Sequence, residues 1–427
     1  MADPSIDLKL PAASERARLA WRQNVADIDD VVATLCAFAN DLQNLGGGYV
    51  VCGGREGTDI HGFAQLQLTG LTAARMREVE SVVLARCRDR VSPPLTPLVA
   101  EAPSADPSRR MLIFTIAATR QAHVFRRGAD TGAHYVRVGR STRVARNGIL
   151  LQLLAAKGVV PPWDMQVAPN AVAADLDLLA LRDALQRMGM PTAAAHAERY
   201  VDADQALSPF VPPLCVREPL TGELRPHHFA LLLFARKPQL AIPGAVAYLS
   251  VYPGNDRSSP VAQRHELAGT VLEQAAALAI LLAAQCFTVF DKVSLTNPNL
   301  QTYPSRAVTE ALANALAHRD YASQEPARMT VFADRIEFRS PGGLVAGVNA
   351  DRFKRGAAAP KWRNRGLAWF FQKLGLAQAE GQGVLTMRAT LKANGSPPPK
   401  FELSADEVVC TLFMQRRACA ILREMRG

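Results

Sequence analysis

The chain has 427 residues, 48% of them hydrophobic and 21% charged, an ordinary globular composition that excludes wholesale disorder and leaves room for two to three domains with separate cores. Forty-nine Lys and Arg against thirty-nine Asp and Glu give a formal charge of +10, which favours contact with a polyanion, nucleic acid first, although a solvated basic surface gives the same balance. No run reaches the roughly 18 apolar residues of a membrane span. The best one, Val271 to Val289, is broken by Glu273, Gln274 and Gln285 and reads as a buried helix.

The opening MADPSIDLKLPAASERARLAW lacks the apolar core and cleavage site of a signal peptide. Seven scattered cysteines with no CxxC pair point to isolated thiols in a reducing, cytoplasmic setting. In chain order, the first region (1–157) reads as a helix from Asp30 to Leu42, a turn at Gly46, Gly47 and Gly48, and a strand YVVCGG. A helix from Leu71 to Arg88 follows, then strands MLIFTIA and YVRVG. The stretch VVPPWDMQVAPN, with its prolines, reads as a linker. The middle region (171–300) opens with a helix DLDLLALRDALQRMG ended by Gly189 and Pro191, and continues with strand-like HFALLLFA, strand AVAYLSVYPG and the long apolar helix. The last region (301–427) alternates helix, hairpin and helix, with Asp334-Arg335 as a tight turn between TVFA and IEFRS. The pattern predicts a multidomain α/β (α+β) protein without internal repeats.

In AVTEALANALAHRDY, helical spacing puts Val308, Ala311, Leu312, Ala315 and Leu316 on one apolar face. It puts Glu310, Asn314 and His318, four apart, on another. A carboxylate beside a carboxamide suits magnesium-assisted phosphate chemistry, the amide oxygen ligating a hard cation and the acid orienting or deprotonating water. A polar strip facing solvent gives the same spacing. Downstream, Gly342 and Gly343 in SPGGLVAGV allow close backbone approach. Gly381 and Gly383 directly precede an amphipathic helix, whose N-terminal N–H groups make a phosphate seat. No GxxxxGK[ST] loop occurs, so a P-loop is excluded.

Through EALANALAHRDY, DRIEFRSPGGL, WRNRGLAWFFQKLG and EGQGVLTM, residues 305–413 resemble the GHKL-type ATP-binding domain in the divergent form of bacterial RecG-like proteins and transcriptional regulators. The resemblance implies ATP and Mg2+ as ligands, with Glu310 activating water and Asn314 holding the metal. It further implies Gly342 and Gly343 beside the adenine, Gly381 and Gly383 at the phosphates, Arg363 and Asn364 in a nucleotide lid, and Lys361 as a further phosphate contact. Ser340 stands where such domains usually place an Asp for the adenine amino group, and a serine hydroxyl can also hydrogen-bond a base.

Residues 14–154 resemble the Schlafen AlbA-type domain, through LCAFAND, GGGYVVCGGREGTDIHGF, SPPLTP and YVRVGRSTRVA. The signature of that family, roughly ExExLEFK, appears here as ERARLAWR. Glu15 is kept, while Ala17, Ala20 and Arg22 replace the later acids and the lysine, and Glu56 and Asp59 are the nearest supplementary acids. A metal-dependent nuclease of RNA or DNA is therefore the alternative reading, and a non-catalytic ATP-binding scaffold the third. Arg120, Arg126, Arg127, Arg137, Arg140, Arg143 and Arg146, interleaved with Phe125 and Tyr135, suit a nucleic-acid contact; outward-facing arginines on an edge strand account for the same pattern. His227, His228 and the RHELAG stretch lack metal-ligand spacing. The expectation is an ATP-dependent regulatory protein, a nucleotide switch joined to a degenerate Schlafen AlbA-like module, working with nucleic acid, a second copy or a partner protein. By resemblance its settings are bacterial regulation and anti-phage defence.

Overall fold

The computed structural model describes residues 18–43, 45–58, 64–128, 131–201, 205–258, 260–294, 296, 298–345, 348–377 and 381–426, without the side chains of 56–58, 64–66 and 426. The chain divides into two compact units, 1–160 and 161–427, each a mixture of helices and mixed sheets as expected for α+β.

In the first unit, β1 (Leu19–Arg22), β2 (Gly47–Cys52), β3 (Leu98–Pro103) and β4 (Arg110–Ala117) form one sheet in the order β1-β2-β4-β3. β1 and β2 run parallel, and the other pairs antiparallel. Helices α1 (Ile28–Asn40) and α2 (Ala73–Asp89) bury Val31, Leu35, Phe38, Val79 and Val83 against Val50, Leu112 and Phe114 on one face. The glycine turn has a packing cause. A side chain on Gly48 would run into the Phe38 ring, and Gly47 has φ +103 against the Ile116 carbonyl. A hairpin of β5 (Tyr135–Val138) and β6 (Ser141–Val144) pairs Arg137 with Thr142, and α3 (Asn147–Ala156) follows.

Helices α4 (Leu178–Arg187) and α5 (His228–Phe234), with a short helical turn at Pro191–Ala195 between them, lie in the first part of the second unit. α5 is the segment HFALLLFA, expected as a strand. Phe229 through Phe234 are all buried, Phe229 and Phe234 meeting Phe370 at 6.0 and 5.3 Å. A run that is apolar on every side carries no periodicity to separate helix from strand. Next come β7 (Ala247–Val251), β8 (Gln263–Leu267), α6 (Val271–Ala283), α7 (Ser305–Ala317), β9 (Ala327–Val331), β10 (Arg335–Pro341) and α8 (Arg365–Lys373). α9 (Gly383–Ala393), β11 (Lys400–Leu403), β12 (Glu407–Phe413) and α10 (Arg416–Arg426) complete it. The six strands make one sheet in the order β8-β7-β9-β10-β12-β11, with β7 and β9 parallel. Strands from both sides of residue 300 thus pair within one sheet and share one core. The β9–β10 hairpin turns at Ala333-Asp334, one residue before the expected Asp334-Arg335: Phe332 donates its N–H to the Arg335 carbonyl at 2.8 Å, and Arg335 already belongs to β10. Among the described residues no helix is long and apolar enough to cross a membrane.

Candidate nucleotide pocket

α7 sets the axis of the site. Its apolar face (Val308, Ala311, Leu312, Ala315, Leu316) is buried, which leaves Glu310, Asn314 and His318 along a second face that spans about 12 Å from the helical rise. Together with Ser340, Gly342, Gly343, Lys361, Gly381 and Gly383 they line one cavity of about 150 Å³. Asn314 Nδ2 donates to Glu310 Oε1 at 3.2 Å. Burial pushes the Glu310 carboxyl up, and the Asn314 hydrogen bond opposes the shift.

α9 starts at Gly383, directly beside this pair. A side chain there would overlap the Glu310 carboxylate and meet Asn314 Nδ2 at 3.0 Å, so only glycine lets the helix start approach so closely. No side chain caps α9, and the N–H groups of its first turn have no intrahelical acceptor. Gly381 has φ +68, and a side chain there would meet the Pro360 ring at 3.2 Å.

At the other end, Ser340 is buried and donates its hydroxyl proton to the Ala315 carbonyl at 2.7 Å. His318 stacks on Trp362 with ring centroids 4.8 Å apart. Burial, with Arg363 adding repulsion, pushes its imidazole down to about 4, so it is neutral at neutral pH. The N–H groups of Gly342 and Gly343 donate to Asp406 and Ala405 carbonyls at 2.6 and 3.1 Å. These glycines make the turn that passes the β11–β12 connection and offer no N–H to a ligand.

Two residues expected in a lid lie outside the cavity wall. Asn364 is 1% exposed and donates to the Ala317 and Arg319 carbonyls at 2.9 and 2.7 Å. Arg363 donates to the His318 carbonyl at 3.1 Å and the Gly343 carbonyl at 2.6 Å, with Asp320 at 3.7 Å. Both satisfy carbonyls at the end of α7, which a helix leaves without intrahelical donors. Lys361 does line the cavity. The cavity also has an apolar wall, Phe338, Leu344, Val348, Phe353, Met387 and Phe401, beyond the polar residues that the sequence singles out. The alternation in IEFRS, which puts Phe338 and Ser340 on one strand face, is the signal that marks it.

In the first unit Arg126, Arg140, Arg143, Arg120 and Arg146 are exposed, and Arg127 is exposed but paired with Asp27. Two expected contacts turn inward. Arg137 is 4% exposed, and Phe125 is 1% exposed against Tyr135. Strand alternation sends every second side chain to the core side, which the arginine count hides. Glu15, Ala17 and Asp59 fall outside the described residues, as does the Glu56 side chain. Among the described residues no group of three or more His, Cys, Asp or Glu is placed to hold a metal ion. His228 stacks on Trp163 at 4.0 Å and His227 Nδ1 lies 2.8 Å from the Pro213 carbonyl, both structural roles.

Residues 324–412 match the family model described as "Putative ATP-dependent DNA helicase recG C-terminal". This segment holds β9, β10, the cavity glycines and α9. No curated protein matches the chain. Among solved structures, the DIP2311 protein of Corynebacterium diphtheriae is 20% identical with a TM-score of 0.42, over 94% of this chain and 76% of that one. The N-terminal domain of a "Putative ATP-dependent DNA Helicase RecG-related Protein" from Nitrosomonas europaea is 21% identical with a TM-score of 0.21, over 25% of this chain and 65% of that one.

Proposed function

We propose that the 161–427 unit binds ATP with Mg2+ in the α7 cavity, and that the chain is an ATP-binding regulatory protein whose first unit, of Schlafen AlbA-like type, contacts nucleic acid. The observation that carries this reading is the abutment of Gly383 on the Glu310–Asn314 pair: an uncapped helix start, an acid and an amide converge at one end of a cavity with Ser340 and the His318–Trp362 stack at the other. The match of residues 324–412 to the RecG C-terminal model supports it.

The donor set fits the ligands. With its nitrogen given to Glu310, Asn314 presents its amide oxygen, a hard ligand of the kind magnesium takes. The cation would supply charge neutralisation at the phosphates. α9's first-turn N–H groups and Lys361 would seat phosphate oxygens. Glu310, its carboxyl raised by burial, would orient water and take its proton. Ser340 keeps its oxygen lone pairs as acceptors for an amino group on the base. The expected layout of a 1–157 Schlafen AlbA-like domain, a 171–300 connecting region and a 301–427 GHKL-like region belongs to the same proposal, the last two as stretches of the one unit 161–427.

Calorimetric titration of ATP with Mg2+ into wild type and Asn314→Ala tests it. Weaker binding in the variant supports the assignment, and equal affinity in both would overturn it.

A further inference from the structure

Arg137 is a buried cation that pairs with no carboxylate among the described residues. It is 4% exposed, lies over the Phe38 ring at 5.1 Å, and donates from Nη1 to Thr142 Oγ1 at 3.2 Å, while its Nε has no partner. Sequestering an arginine this way is costly unless a negative group meets it. The nearest charge in the network is a second cation. Arg22 donates from Nη2 to Thr34 Oγ1 at 3.2 Å, and Thr34 and Thr142 hydroxyls lie 3.1 Å apart.

The surrounding acids are already engaged. Arg22 binds Asp30 at 2.5 Å, Arg86 and Arg90 reach Asp29 at 2.7 and 3.9 Å, and Arg127 holds Asp27. Among the described residues, four guanidinium groups (Arg22, Arg86, Arg90 and Arg127) therefore occupy the three carboxylates around the first turn of α1, and Arg137 lies farther along the helix over Phe38. Thr34 donates its proton to the Asp30 carbonyl at 2.8 Å, so Thr142 donates to Thr34 and accepts from Arg137. Neither hydroxyl neutralises Arg137. Burial, then repulsion from Arg22, pushes the Arg137 guanidinium down to about 10, against attraction from Asp30. The cluster opens to solvent at Arg22 and Asp30, whose side chains are 27% and 39% exposed.

We propose that Arg137 and Arg22 form a seat for one phosphate group, supplied by a nucleic-acid backbone or as a small phosphate. The inference rests on the reading that the first unit contacts nucleic acid, and it names the contact. Unmatched guanidinium N–H groups take phosphate oxygens in a fork geometry that a lysine cannot reproduce. The excess positive charge is then neutralised by the ligand. The seat is a binding site with no reaction attached.

The test uses the full chain, with Arg22→Gln and Arg137→Lys as variants and Arg88→Gln, an exposed arginine paired with its neighbour Asp89, as control. Anisotropy is read with a short labelled single strand, with and without a terminal phosphate, across salt concentrations. Thermal melting is read with and without inorganic phosphate. Each variant is expected to bind the strand about tenfold more weakly and to lower the salt slope by about one, with the control unchanged. Inorganic phosphate raises the melting temperature of wild type and not of Arg22→Gln. Equal strand binding and equal phosphate stabilisation in wild type and Arg22→Gln overturn the seat while the nucleic-acid reading stands. Phosphate stabilisation lost in Arg22→Gln, without strand binding by wild type, keeps the seat and ends the nucleic-acid reading. Neither response in wild type ends both. Should Arg137→Lys fail to fold, Arg22→Gln decides.

Discussion

Asn314 gives its Nδ2 proton to Glu310 Oε1 at 3.2 Å, one helical turn back, which commits the amide nitrogen to the protein and leaves the amide oxygen for a cation. The two residues therefore separate on mutation. Glu310→Gln is expected to keep ATP affinity within a few-fold and to slow phosphate release by about a hundredfold or more. Asn314→Ala is expected to weaken magnesium-dependent binding by about tenfold. Calorimetry and phosphate release measured on both decide the roles; a Glu310→Gln protein that no longer binds would move the acid from catalysis to binding.

Gly383 leaves no room for a methyl group, since a side chain there overlaps the Glu310 carboxylate. Gly383→Ala should push α9 away from α7 and cost roughly 1–3 kcal/mol of stability. It should also weaken ATP binding by more than the stability loss explains, because the displaced helix start is the proposed phosphate seat. Denaturant melts and nucleotide titration on the same preparation check both; wild-type affinity in a destabilised variant would place the phosphates elsewhere.

Arg363 belongs to the frame of the pocket. Its bonds to the His318 and Gly343 carbonyls predict that Arg363→Ala lowers the melting temperature of the nucleotide-free protein, by about 2–4 kcal/mol of stability. Arg363→Lys should recover little of it, because a point charge does not span two carbonyls. A lid residue would leave the nucleotide-free melt unchanged.

Asp164 gives the fold a pH signature. It is fully buried, accepts the Leu367 N–H at the start of α8 at 3.1 Å, and is pushed by burial from 3.8 up to about 7. Its folded form holds the proton more tightly than its unfolded form. The stability it contributes is fully present below about pH 4 and is lost as pH rises through about 7. Asp164→Asn should flatten that part of the stability curve and gain roughly 1–3 kcal/mol at pH 8. Urea melts at pH 5 and pH 8 test it; an unchanged slope would sink the assignment.

The helix bearing Glu310, Asn314 and His318 was legible because its apolar face repeats at helical spacing, and Gly381 and Gly383 because they directly precede an amphipathic helix; the room that only glycine leaves at position 383 shows in the structure. The β9–β10 hairpin was legible from its strand alternation and turn. What stayed hidden depends on three-dimensional neighbours. Asn364 and Arg363 sit in a lid by resemblance alone, and the carbonyls at the end of α7 that they satisfy come into view only in the fold. Arg137 read as a surface charge because a strand's inward side is set by α1, which lies a hundred residues away in the chain. The α5 segment looks like a strand in sequence, since an apolar run that is buried all round has no face to show.

The sheet of the second unit carries a practical warning for anyone who would cut the chain. β7 supplies the parallel partner of β9, so a fragment beginning at residue 301 would strip β9 of its neighbour. That fragment would present an unpaired backbone edge flanked by Met329 and Val331, which are buried in the whole protein. Such an edge recruits other chains. The pocket's half of the sequence is therefore not a portable cassette, and a fragment that keeps it soluble must begin upstream of Ala247.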